Sequence, residues 1–279
     1  MIPGMRMLRV IGRSFLDFFR DNGLMLAGSM SYFTMMALVP LCMFLVTVFG
    51  YFLGQYPEFY RFFLAKLTGF FPTVTQDITD DLTKIISYKG LGKFSLLLYW
   101  VLSYQVFASM ETALNTIFKI KKKRHVFFSV LVSLIVVTLL IALLFASFAA
   151  ASLVPLLKTI GPTLTGIKIS NITKILLSFV LPFFLILCSI TLLYVMVPKT
   201  RVRISSALFG AFFATAMLEI AKHMFSWYVS EVAQMGKIYG PLTAFVMFLL
   251  WMFYSSGIFL IGAEIVHNLG NQKQVRSGP

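Results

Sequence analysis

Long apolar runs alternate along this chain with short polar connections, and six of the runs are long enough to cross a hydrocarbon core. They cover 24–54, 94–118, 127–155, 173–197, 204–228 and 242–267, each reaching the roughly 20 residues that a membrane-spanning helix needs. Another element precedes them. Over 5–21, Met5, Leu8, Val10, Ile11, Phe15, Phe18 and Phe19 are interleaved with Arg6, Arg9, Arg13, Asp17 and Arg20, which predicts an amphipathic helix lying at a membrane surface. The following apolar stretch is too long for a signal-peptide core and has no convincing small-residue cleavage site, so no cleavable signal is expected.

The polar connections differ in sign. Lys and Arg concentrate in the first twenty residues, in Lys119, Lys121, Lys122, Lys123 and Arg124, in Lys199, Arg201 and Arg203, and in the tail with Lys273 and Arg276. Fourteen of the 24 Lys and Arg lie in these four segments, nine in the intervening connections or, as Lys174, at their edge, and one, Lys222, well within a span. The positive-inside rule puts the four segments in the cytoplasm. The predicted fold is therefore all-α, a polytopic bundle of six transmembrane helices with both termini cytoplasmic. Its parts are a cytoplasmic amphipathic segment 1–23, a transmembrane domain 24–267 with an external helical loop at 55–93, and a cytoplasmic tail 268–279. In that loop, Phe59, Phe62, Phe63, Leu67 and Phe70 form one apolar face, and Ile78, Leu82, Ile85 and Ile86 form another. The connection 156–172, with Gly161, Pro162 and Gly166, reads as irregular.

Composition agrees: 59% of residues are apolar and 12% charged, with a mean hydropathy of +0.88. A soluble domain carries about 25% charged residues. The formal charge of +14 follows the alternation of loops, so anionic lipid headgroups account for it without nucleic acid. Cys42 and Cys188 fall inside apolar spans, which implies packing and no disulfide framework. No P-loop string occurs. His125, His223 and His267 lack metal-ligand spacing, and no nucleophile with its base can be assembled. Neither an enzyme nor a bound cofactor is expected.

Ionisable groups at bilayer depth cost about 2.5–3.5 kcal/mol each on insertion scales and so point to function. Glu111 and Asn115 share a face of the second span with Tyr104 and Ala108. In the fifth span, Thr215, Glu219, Lys222, His223 and Ser226 form a polar stripe, and Glu264 lies near the end of the sixth. Glu111, Asn115 and Glu264 are expected to line the inner side of a substrate path, with Glu219, Lys222 and His223 towards the outer side. The competing reading makes Glu219 a neutralising partner of Lys222 or His223 at i+3 or i+4. Pro40 predicts a kink near Met36. Tyr239 and Gly240, followed by Pro241, suit a tight re-entry turn. Trp251 and Tyr254 fall near mid-span and are expected to pack inward, while Gly257 and Gly262 permit close helix approach.

Four strings carry a resemblance: AGSMSYFTMMALVP from Ala27 to Pro40, METALNTIFKIKKKR from Met110 to Arg124, LLYVMVPKTRVRISSALFGA from Leu192 to Ala211, and YGPLTAFVMFLLWMFYSSGIFLIGAEI from Tyr239 to Ile265. With their spacing they resemble the YihY/BrkB family of bacterial inner-membrane proteins. The resemblance implies a six-helix, all-α protein of the inner membrane with both ends cytoplasmic. It marks Pro40, Ala113, Leu114, Asn115, Pro198, Gly210, Tyr239, Gly240, Trp251, Gly262, Ala263 and Glu264 as positions matching the family pattern. Pro241 departs from it, standing where a small residue such as Ser is expected. The resemblance implies envelope-lipid or small-molecule transport, and the ribonuclease label carried by some members finds no support in these residues.

The expected function is a transporter or flippase-like translocator of an amphiphilic, anionic envelope lipid or solute. Pro40, Pro198, Tyr239, Gly240, Trp251 and Gly262 would be its structural or gating positions. Lys121, Lys122, Lys123, Arg124, Lys199, Arg201 and Arg203 would contact anionic phospholipid headgroups. The alternative is a non-catalytic scaffold or accessory subunit that engages an envelope protein, its buried charges pinning helices together. The sequence leaves the oligomeric state open.

Overall fold

The computed structural model describes residues 3–37, 92–120, 132, 135, 139, 180–228 and 243–276. Among them there are six helices and no strand: α1 (Pro3–Arg20), α2 (23–37), α3 (Gly92–Ile117), α4 (Leu181–Met196), α5 (Ile204–Trp227) and α6 (Thr243–Arg276). Positions 132, 135 and 139, inside the expected third span, are also helical. Outside the described residues lie Pro40 with its expected kink, Tyr239 and Gly240, Lys121 to Arg124, the loop 156–172, and the loop 55–93 apart from its last two positions.

These helices form for local reasons that the sequence supplies. Pro182 stands in the first turn of α4, where its missing N–H leaves no bond unmade. Hydroxyls that would be orphaned in apolar surroundings bond back to their own helices: Ser189 to the Leu185 carbonyl (2.8 Å), Thr191 to Leu187 (2.7 Å) and Thr215 to Ala211 (2.8 Å). Such back-bonding satisfies the side chain without a partner helix. Among the described residues, α5 and Phe245–Gly270 of α6 are long and apolar enough to cross a membrane, while α4 is apolar but shorter.

The last helix runs beyond the expected end of the sixth span at 267, continuing to Arg276, and Val266 and Asn268 on either side of that point are buried. Its 34 residues extend about 51 Å at 1.5 Å per residue, against a hydrocarbon core of about 30 Å.

The chain divides into two compact units, one comprising Met1–Asp21, Ala113–Glu219 and Ile258–Pro279, the other Asn22–Thr112 and Ile220–Gly257. In the first, Gly262, Ala263, Glu264, Ile265 and Val266 are consecutive buried positions, so this stretch of α6 is enclosed on every side. Small residues allow that. A Cβ at Gly210 would collide with the Val266 side chain and the Gly262 carbonyl, and one at Gly262 with the Tyr194 hydroxyl. Helices α5 and α6 therefore meet backbone to backbone through Gly210 and Gly262, with Ala207, Ala211 and Ala214 buried on the same stripe of α5. Tyr194, wholly buried, donates to the Phe259 carbonyl (2.5 Å) and packs on the Phe259 ring.

The second unit uses the same device. Gly23, Ala27 and Ser31 place small buried residues on one face of α2, and the Ser29 and Ser109 hydroxyls bond α2 to α3 at 3.1 Å. The Phe225 and Trp251 rings meet at 5.2 Å. Trp251 is half-buried as expected, but Tyr254 is 52% exposed. Depth along a helix does not decide which face a residue occupies.

Substituting Gly262→Ala should destabilise the folded protein by about 1–3 kcal/mol through overpacking. Because the collision is with the Tyr194 hydroxyl, Gly262→Ala combined with Tyr194→Phe should cost less than the sum of the two single changes. Thermal unfolding of the four proteins in detergent measures this coupling, and strictly additive losses would contradict the contact.

Candidate functional site

Among the described residues, a cluster of polar groups of the first unit forms where α1, the end of α3, the α4–α5 turn and the last part of α6 converge. Helix α3 closes with a reciprocal pair of backbone bonds, Ile120 N–H to the Asn115 carbonyl (2.9 Å) and Lys119 N–H to the Thr116 carbonyl (3.0 Å). That is a Schellman closure, and it puts Lys119 in the left-handed conformation at φ 56°. Glycine ordinarily fills this position, since a side chain there meets the following carbonyl. The return is positional: the Lys119 ammonium lies 3.3 Å from Oδ1 of Asp21, as a hydrogen bond, and 3.1 Å from Oδ2, as an ion contact.

Asn115 lies within the same closure. Its side-chain Oδ1 accepts from the Lys199 backbone N–H at 3.2 Å, tying the end of α3 to the turn that carries Pro198, Lys199, Arg201 and Arg203. The Arg203 carbonyl receives the Ser206 and Ala207 N–H groups at 3.0 Å each and starts α5. Pro198 is buried, Lys199 half-buried, and Arg201 and Arg203 are exposed.

Helix α1 docks through a narrow face, Val10, Ser14 and Phe18, all buried. Asn268 of α6 donates through Nδ2 to Ser14 Oγ and to Asp17 Oδ2, both at 3.0 Å, and Ser14 passes its own hydrogen to the Val10 carbonyl at 2.9 Å. Arg13 flanks Asp17 at 3.6 Å. The rest of α1 faces outward: Leu8 and Leu16 are 71% and 73% exposed, and Arg9, Arg13, Phe15, Phe19 and Arg20 are also exposed. Near this junction the Phe118 ring meets the His267 ring edge-on at 5.6 Å.

Glu264 occupies the centre. It is wholly buried, and neither carboxylate oxygen has a hydrogen-bond donor among the described residues. Its charged neighbours are Asp21, Asp17 and Lys119. Among the described residues no three His, Cys, Asp or Glu side chains are placed to hold a metal ion.

The other expected path residues are distributed differently. Asn115, Glu219 and Glu264 belong to the first unit, and Glu111, Lys222 and His223 to the second. Glu111 is buried and Glu219 half-buried, whereas Lys222 and His223 are exposed on the last turns of α5. Thr215, the buried start of that polar stripe, is satisfied by its own helix. The structure adds Ser14, Asp17, Asp21, Lys119, His267 and Asn268 to the site. Only Asp17 and Asp21 carried a signal, as the acidic pair at i and i+4 in an otherwise basic segment.

A profile of the family described as Virulence factor BrkB matches residues 14–279. The chain belongs to the BrkB family. Among its BrkB relatives are UPF0761 membrane proteins of Aliivibrio fischeri strain MJ11, 32% identical over 93% of this chain and 84% of that protein, and of Aliivibrio salmonicida, 31% identical over 89% and 79%. Another, from Alkalilimnicola ehrlichii, is 30% identical over 93% of this chain and 58% of that longer protein. No solved structure matches the chain. This BrkB protein is a membrane protein, as the names of its relatives and its apolar helices agree.

Lys119 offers a clean test of the α3 closure. Lys119→Ala and Lys119→Gly both delete the ion pair, but only glycine relieves the left-handed backbone, so the glycine variant should be the more stable by about 1–2 kcal/mol. Unfolding midpoints of the two variants give that difference directly. Equal midpoints would mean that Lys119 does not hold this conformation.

Proposed function

We propose that the protein is a translocator of the bacterial cytoplasmic membrane that moves an amphiphilic, anionic envelope lipid or a related solute, using six crossings with both chain ends cytoplasmic. The observation that carries this reading is Glu264, a carboxyl wholly enclosed in an apolar helix, with no donor to either oxygen among the described residues. Ionisable groups so placed are costly to insert and mark substrate or ion routes.

The surroundings suit such a cargo. Arg201, Arg203 and the exposed arginines of α1 lie in the unit that contains Glu264, and each basic residue near an anionic leaflet contributes about 1 kcal/mol of attraction. The outward apolar residues of α1, Leu8, Phe15, Leu16 and Phe19, would sit among the acyl chains while its arginines meet phosphates. A headgroup collected by this basic rim would be handed towards the carboxylates, and Glu219, Lys222 and His223 on α5 would serve its outward leg. Drive comes from the substrate gradient, from protons passing through the carboxylates, or from an envelope-protein partner.

Reconstitution in vesicles tests the proposal with fluorescent phosphatidylglycerol and phosphatidylcholine and a membrane-impermeant quencher. The wild-type protein should accelerate exchange of the anionic probe over empty vesicles. Glu264→Ala should slow it about tenfold, the factor that about 1.4 kcal/mol represents. Replacing Lys199, Arg201 and Arg203 together by Gln should erase the preference for the anionic probe. If the wild type moves neither lipids nor candidate solutes faster than empty vesicles, and cross-linking in native membranes captures a stoichiometric partner, the scaffold reading replaces this one.

A further inference from the structure

Three carboxyl groups converge at the junction of α1 and α6, and two cations answer them. Asp17 has Arg13 and the Asn268 amide, and Asp21 has Lys119. Among the described residues Glu264 is left over. Asp21 is the foremost of the charged groups that act on it, and an ionised carboxyl there offers no hydrogen, since a carboxylate only accepts. Two ionised carboxylates facing each other, one of them wholly buried, repel in a setting where solvent screens little. A hydrogen between them removes the surplus charge and turns the repulsion into a bond. A metal ion would need a ligand set that the described residues do not supply.

We propose that Asp21 and Glu264 form a proton-binding pair, in which the Glu264 carboxyl holds one hydrogen and donates it to Asp21. The ligand is a proton, and its site joins two distant parts of the chain. When occupied, the pair adds a bond between the end of α1 and α6, beside the Asn268–Asp17 bond. When vacated, it sets two like charges against each other at the point where α1 docks, and α1 loosens. The groups facing the pair are Asp17 and Arg13 from α1, Lys119 from the end of α3 and His267 from α6 itself. Of these, Asp17 and His267 are the rival seats for the hydrogen. Asp17 already accepts from Asn268, and the His267 ring is packed edge-on against Phe118.

The site shares Glu264 with the translocation reading, but neither its geometry nor its test depends on any cargo. The full chain in lipid nanodiscs is examined by infrared difference spectroscopy between acidic and alkaline buffers, alongside hydrogen exchange over residues 7–20. The wild type should show a protonated-carboxyl carbonyl band that is lost in Glu264→Gln, shifted in Asp21→Asn and kept in Glu111→Gln. After correction for intrinsic rates, exchange in α1 should quicken on moving to alkaline buffer in the wild type. It should stay level in Glu264→Gln, whose amide retains a donor. Should Glu264→Gln fail to fold, Asp21→Asn carries the test, since Asp21 lies outside the enclosed part of α6. The proposal fails if the wild type shows no such band, or if the band survives Glu264→Gln. It also fails if the titrating group is abolished only by His267→Asn, or if exchanging sodium for choline at fixed pH moves the band, which would assign the site to a metal cation. A band without lipid flux would leave the pair in place and remove the translocator, and flux without the band would do the reverse.

Discussion

The contact between Gly210 and Gly262 sets the terms for the α5–α6 core of the first unit. With no side chain on either residue, the α5 and α6 backbones approach until a single added carbon at Gly210 would strike both the Gly262 carbonyl and Val266. Apolar burial alone does not drive helices together in lipid, where the surroundings are as apolar as the side chains, so close van der Waals packing must do it. Once α5 and α6 are joined here, the residues immediately following Gly262 are fixed in direction. Ala263, Glu264 and Val266 have no route to the surface, and the carboxyl is enclosed because the glycine before it is.

An enclosed carboxyl then governs what can pack around it. The chain brings polar groups from far away in sequence: Asp17 and Asp21 from the segment preceding the first apolar run, Lys119 from the end of α3 and Asn268 from a further turn of α6. Lys119 reaches Asp21 because the α3 closure turns on a lysine in a conformation that glycine would adopt more readily. That closure also positions Asn115 to hold the Lys199 N–H. The turn bearing Lys199, Arg201 and Arg203 is thereby anchored to the end of α3 by a bond that does not involve its charges, leaving Arg201 and Arg203 exposed.

The helices were legible because apolar runs of this length have few alternatives: α5 begins at the expected residue, and α3 and α6 begin within two of theirs. The site was legible in part. Glu264 stood out as an acid in an apolar run, but depth and spacing on one helix say nothing about the direction from which neighbours arrive. Asp17 read as one polar position of an amphipathic surface helix, Asp21 drew no reading, and Asn268 read as tail. Lys119 read as one more basic loop residue, since no glycine announced the helix end. Tyr254 failed for a related reason, its height along α6 being known and its face not. Partnerships across more than two hundred residues, such as Asn268 with Ser14, leave no periodic trace in either segment.

One of those partnerships joins the two ends of the described chain. Asn268 bonds to Ser14 and Asp17, so α1 and the end of α6 lie together. Helix α1 is at the same time narrow in its docking and broad in its exposure. One stripe of Val10, Ser14 and Phe18 meets the protein, and Leu8, Phe15, Leu16 and Phe19 lie outward beside exposed arginines. Such a helix has apolar area to place in a leaflet and positive charge to meet phosphates, while its inward carboxylates bear on the one buried acid of α6. Both faces belong to one eighteen-residue element, and Asp17 on it and Asp21 just beyond it are among the charged neighbours of Glu264.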